Sequence, residues 1–250
     1  MILQGVLFLL SAALAAPIPT NTTQLILGLA ADADSSSATL QRYQRTESGW
    51  DAVGEPLPAR IGREGLAWGI GLHPEQPGRQ KVEGDWRAPA GAFQVGLALG
   101  DAPLSPAPSW PMETVTERTL WVEDPTSPLY NQRHLVPGDR PLTEWETNQR
   151  MRLGDPAHRL KVVIEHNTDP PVSGSGSAIF FHIWRRDGGS PTAGCTAVPA
   201  SELESLTRWL EPTAAPVFVL LTQADHARLR STWGLPELSS PSSTRSAQGD

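Results

Sequence analysis

Apolar positions along this chain fall in short continuous runs and in stretches of period-two alternation, the patterns of strands buried on both faces or on one. Residues 23–31 (TQLILGLAA) form an apolar run, an Asp/Ser stretch follows, and alternation resumes over 38–45. Run, polar turn and run predict a hairpin. From 49 to 71 glycine, proline and aromatic residues are dense, which predicts short strands joined by tight turns. Pro89-Ala90-Gly91 reads as a turn ahead of a strand over 92–99, and 120–122 and 159–165 are further strands, the last with β-branched residues at its centre. Residues 129–155 keep no clean period and read as irregular or partly helical.

The last third carries the clearest pattern. Residues 177–184 (SAIFFHIW) set Ala178, Phe180, His182 and Trp184 on one face and Ile179, Phe181 and Ile183 on the other. A strand apolar on both faces belongs inside a sandwich. After a Gly/Pro-rich loop, Ser201 and Glu204 have the spacing of a capping box, and Leu203, Leu206, Trp209 and Leu210 make a one-sided stripe that ends before Pro212. Residues 216–222 (PVFVLLT) are then a buried strand. Many short strands with one clear helix predict a mainly β fold with α+β elements rather than alternating βαβ units.

The ends differ from this body. Residues 2–16 are one apolar stretch, shorter than the roughly 20 residues a bilayer needs. It closes on Ala13-Leu14-Ala15, the small-x-small pattern of a signal peptidase site. A signal peptide over 1–15 is predicted, with export to the periplasm or cell envelope and no stable membrane insertion after processing. No Cys stands beside the site, so this is not a lipoprotein. Residues 235–250 are Ser/Pro-rich and predict a disordered tail. That leaves one domain over about 22–225. With 20 Lys+Arg against 27 Asp+Glu, the net charge of −7 excludes a basic phosphate-binding face and hence a nucleic-acid partner.

A single cysteine, Cys195, has no partner for an internal disulfide, and an idle thiol is a liability in an oxidising compartment. Twelve residues separate it from His182, a loop long enough to fold back. Free cysteine leaves only about 3% thiolate at pH 7, and an adjacent imidazolium lowers its pKa by a few units. Gly194, without a Cβ, lets the amides of 194 and 195 approach an oxyanion. The plainer readings are a buried structural thiol and a satisfied core histidine. His166, at a strand end, is a second candidate base, while Asp124 with Tyr130 and Asn131 are candidates to line a cleft. The six histidines show no metal-ligand spacing, so neither metal nor cofactor is expected. The nine Trp are read mostly as core.

Residues 176–199 (GSAIFFHIWRRDGGSPTAGCTAVP) resemble the signature of the L,D-transpeptidase (YkuD-like) catalytic domain, an upstream His followed by a Ser/Thr-x-Gly-Cys loop. Pro89 to Phe93 is similar to that family's Pro-x-Gly-x-Phe element, and Lys81 to Asp85 to what precedes it in one branch. The resemblance implies a β-sandwich with one helix after the nucleophile loop. It implies that Cys195 attacks a peptidoglycan tetrapeptide stem, that a thioester forms, and that the amine of a second stem resolves it. On that carry-over His182 is the base and the Thr192 backbone carbonyl orients its ring; Lys81, Tyr130 and Asn131 are the candidate substrate-binding residues. The chain departs from the commoner pattern with Ala193 where many members have His, a shorter His-to-Cys interval, and Ala197 where many have Arg. Losing that Arg removes the obvious partner of a substrate carboxylate. A hydrolase that resolves the thioester with water, and an idle wall-binding protein with the same fold, are the alternatives; the sequence sets no oligomeric state.

Overall fold

The computed structural model describes residues 16–238, where the period-two pattern becomes strands. In chain order these are β1 (Gln24–Ala30), β2 (Ser37–Thr46), β3 (Gly49–Arg60), β4 (Leu66–Trp68), β5 (Ala88–Gly100), β6 (Met112–Thr114), β7 (Thr119–Trp121), β8 (Arg133–Leu135), β9 (Leu160–Ile164), β10 (Phe180–Ile183), β11 (Thr196–Val198) and β12 (Val217–Thr222). The helices are α1 (Glu144–Asn148), α2 (Ala200–Trp209) and α3 (Gln223–Trp233). The expected β1–β2 hairpin is present, antiparallel from Gln24↔Gln44 to Leu29↔Thr39.

The fold is mainly β, and its sheet closes where a sandwich was expected. Strands run in the order β12-β1-β2-β3-β11-β10-β9-β5, and β12 pairs again with β5. The cause is the length of β5. Residues 91–94 pair with β12, a register shift follows between Val95 and Ala98, and the rest pairs with β9. One long strand thus joins both ends of the sheet into a barrel-like ring and removes two exposed edges. Pro89-Ala90-Gly91 lies inside this strand rather than in a turn. Gly91 has φ +142, and a Cβ there would meet His73 Nε2 at 1.8 Å.

β3 is likewise one strand of 12 residues rather than several short ones. It runs through Gly54, Pro56 and Pro58 because residues 54–56 form a bulge opposite Gln41, whose side-chain amide donates to the carbonyls of Val53 and Gly54 at 3.1 Å. The strand β10 keeps its two predicted faces but starts only at Phe180, since Ala178 has φ +55. Ile179, Phe181 and Ile183 enter the main core, where Phe181 meets Phe218 edge-on at 4.6 Å. Phe180 joins a second cluster with Trp121, Met151 and Val163, against which Ala178 and Cys195 pack.

α2 follows the loop of Cys195 as expected, but it begins at Ala200 after Pro199 with no side-chain cap. Ser201 therefore lies within the first turn, and Glu204 pairs with Arg159 and Arg208 instead. The capping box forms at Thr143 and Glu146, opening α1. The stretch expected to be a disordered tail starts packed: Leu235 is buried, and His226 Nε2 donates to the Pro236 carbonyl at 3.1 Å. Residues 239–250 and the predicted signal peptide lie outside the described residues. Among the described residues no helix is long and apolar enough to cross a membrane.

Candidate active site

Strand register brings the two sequence candidates to one place. β10 and β11 are parallel neighbours with Phe181 opposite Thr196 and His182 opposite Ala197. Alternation then puts Cys195, just before β11, on the same side as His182. The loop is pinned by Thr192, whose amide donates to the Ile61 carbonyl at 2.9 Å and whose carbonyl accepts from the Arg63 amide at 3.0 Å. Its hydroxyl donates to the Cys195 carbonyl at 2.7 Å and accepts from the Gly194 amide at 3.1 Å. Gly194 has φ +150, with the Arg87 carbonyl oxygen 3.0 Å from where a Cβ would sit, so only glycine threads the chain here without strain.

These contacts revise three expected roles. The Thr192 carbonyl is engaged by Arg63, and the His182 ring is oriented instead by its own strand: Nδ1 donates to the Ile183 carbonyl at 2.8 Å. Because a carbonyl only accepts, Nδ1 carries the proton and Nε2 is left with its lone pair. The Gly194 amide is held by the Thr192 hydroxyl in this state rather than free for an oxyanion. Finally, burial opposes a thiolate–imidazolium pair. Burial pushes the Cys195 thiol up to about 12, and burial, then the neighbouring His158, lowers His182 to about 4. Thiol and imidazole are both neutral at rest, and Sγ donates to the Ala178 carbonyl at 3.4 Å.

Two cavities meet at this cysteine. The first, of about 360 Å³, is lined by Lys81, Glu83, Glu123 and Lys161 among others. The second, of about 270 Å³, is lined by Arg63, His182, Arg185 and Ala197. Trp86, His158, Ala193 and Cys195 border both. The Arg63 guanidinium lies 3.6 Å from the centre of the Trp86 ring, a cation–π contact that fixes it at the cavity wall.

The proposed substrate residues divide. Lys81 lines the first cavity, and its Nζ is tied to Asp85 and to the Val82 carbonyl. Tyr130 stands behind that cavity, donating its hydroxyl to Glu83, whose carboxylate also accepts from Ser177 at 2.8 Å. Asn131 is a buried brace: Oδ1 accepts from Trp121 and Ala178, and Nδ2 donates to the carbonyls of His166 and Asn167. It shapes the wall without facing the cavity. Asp124 closes a surface turn onto Thr126 and Trp145. His166 has both ring nitrogens engaged, by the Ile70 amide and the Ser175 carbonyl, and is not a base for Cys195. Sequence reasoning missed Arg63, Arg185, Glu83, Glu123 and His158.

The L,D-transpeptidase catalytic domain (YkuD) family matches residues 35–219, a span that holds both strands, the loop and both cavities. The chain belongs to this family. No curated protein matches it. The structure of Bd1075 from Bdellovibrio bacteriovorus is similar at 12% identity and a TM-score of 0.39, covering 88% of this chain and 57% of that one. This chain thus spans little more than half the length of Bd1075. In this L,D-transpeptidase domain the small residue Ala197 lies beside Arg63 and Arg185 in the second cavity. One cation reaches that cavity from the distant segment of Arg63, and the other, Arg185, stands within residues 176–199 themselves.

Proposed function

We propose that this chain is an exported L,D-transpeptidase that joins peptidoglycan stem peptides through an acyl-Cys195 thioester. The observation that carries the reading is the pair of cavities on either side of one cysteine, which gives a donor and an acceptor separate places. The donor's terminal carboxylate binds in the second cavity near Arg63 and Arg185. Since thiol and imidazole start neutral, the proton passes from Sγ to His182 Nε2 as sulfur bonds to the acyl carbon. His182 then hands it to the departing amine of the terminal residue. The acceptor ammonium enters the first cavity, where Glu123, its carboxyl raised by burial and by Glu83, gains from a cation placed beside the pair. The apolar run over 2–16 with its small-x-small end supports export.

Incubating the protein with disaccharide tetrapeptide and weighing the products tests the reading. Cross-linked dimer is expected from the wild type, and none from Cys195→Ala, whose stability should change by only about 1 kcal/mol. Tripeptide without dimer would replace transfer by hydrolysis, and intact substrate would overturn both.

A further inference from the structure

A second imidazole stands at Cys195. His158 borders both cavities, whereas His182 lines only the second. The two rings stack with centres 4.9 Å apart and planes 30° apart. His158 is held by one carboxylate in two ways: its backbone amide donates to Asp155 Oδ1 at 2.9 Å, capping a short 3-10 turn, and its ring Nδ1 lies 2.9 Å from the same oxygen. Arg185 donates to the other oxygen of Asp155 at 2.8 Å. A carboxylate accepts, so Nδ1 carries the proton and Nε2 presents a lone pair.

We propose that His158, held by Asp155, is a second general base and takes the proton of the acceptor that resolves the acyl-Cys195 thioester. This rests on the transpeptidase reading above and divides its two half-reactions between two histidines. A nucleophile arriving through the first cavity meets His158 and not His182. The acceptor ammonium first releases one proton to solvent. Its nitrogen then bonds to the acyl carbon while a second N–H proton passes to His158 Nε2. The C–Sγ bond breaks and that proton returns to sulfur, leaving a neutral thiol, a neutral imidazole and a new amide. Burial most of all, then Lys161 and Arg185, oppose the protonated ring during this transfer, and Asp155 favours it. His182 has no such carboxylate, since its Nδ1 faces a carbonyl.

The test uses the full chain and reads the two half-reactions separately, by intact mass, with tetrapeptide donor and amine acceptor. In His158→Gln, acylation should slow no more than about threefold while loss of the thioester slows about 100-fold or more, so that acyl-enzyme accumulates. Asp155→Asn, which keeps the cap on the turn, should move the same step in the same direction by about tenfold. The wild-type pH profile of thioester loss should rise through a group near or below the ordinary histidine value, and that limb should vanish in His158→Gln. Equal slowing of both half-reactions in either variant, or an unchanged pH limb, would make His158 a mere support for its stacked neighbour and overturn the proposal. A wild type that forms no thioester fails at the earlier step, which separates the collapse of the transpeptidase reading from that of the second base.

Discussion

The barrel wall made by β1, β12 and the first half of β5 is held by backbone ladders and apolar side chains. β1 and β12 pair in unbroken parallel register from Leu25↔Val217 to Ala30↔Thr222, and every residue of β12 is buried. The corner that carries Cys195 has strands of only four and three residues. Its shape depends on individual polar side chains instead: Thr192 across the loop, Asp155 under His158, Asn131 behind Trp121 and Ala178, and Tyr130 behind Glu83. Buried polar groups cost stability unless paired and fix geometry when they are. The wall therefore rests on continuous ladders and apolar burial, whereas the corner uses paired polar groups to place donors and acceptors around a thiol.

Phe218→Ala should produce the largest effect on stability. The side chain is fully buried in β12 and meets Phe181 edge-on at 4.6 Å, so truncation removes apolar burial and leaves a cavity. A loss of about 3–5 kcal/mol is expected, read from urea unfolding. A change under about 1 kcal/mol would show that the wall is not the source of stability assigned to it.

Acid should weaken the molecule through histidines that border the corner. His166 and His182 are both lowered to about 4 from an ordinary 6.5, mainly by burial. A lowered histidine adds stability that is fully present above the unfolded value and is lost as pH falls, because the unfolded chain binds the proton first. Between about pH 6.5 and pH 4 each contributes a loss of up to about 3 kcal/mol. Denaturant midpoints at pH 7 and pH 4.5 measure the total, and His166→Gln should flatten the slope. Equal midpoints at both values would mean that these rings are not held neutral by the fold.

The wall was more legible from sequence than the corner, for physical reasons visible in single residues. Apolar runs suffice to find β1, β9 and β12 and alternation to find β2, although Gln24 and Lys161 are buried against their residue type. Barrel closure was not readable, since it depends on which strands β5 chooses as neighbours along its length. The prolines of β3 misled because a proline's cost in a sheet depends on whether its N–H faces a partner. In the corner, the sequence offered only a loop long enough to bring Cys195 back toward His182, and the β10–β11 register is what sets them on one side. The ion pair expected from their proximity was outweighed by burial, which no local pattern reports. Arg63 comes from a segment far from Cys195 in sequence, and Arg185, although inside residues 176–199, carries no local pattern that places it in the second cavity. His158 did leave a signal: Asp155-Pro156-Ala157-His158 combines a capping residue, a proline at the first helical position and a histidine three residues on.

Thr192→Val should have the smallest effect on stability and still a clear one on turnover. Valine keeps the shape of threonine but loses the hydroxyl that donates to the Cys195 carbonyl at 2.7 Å and accepts from the Gly194 amide at 3.1 Å. The residue is half-buried, so water partly replaces these bonds, and the cost should be about 1 kcal/mol. The backbone pins of Thr192 to Ile61 and Arg63 remain, which keeps the loop in place while Gly194 and Cys195 lose their brace. Misplacement by a fraction of an ångström at a nucleophile then lowers turnover by about tenfold or more. Thr192→Ser retains the hydroxyl and should restore most of that loss. If valine leaves turnover unchanged, or serine is as poor as valine, the hydroxyl is not what sets the nucleophile's position, and the contrast between a wall held by ladders and a corner held by single side chains fails at the residue where it is sharpest.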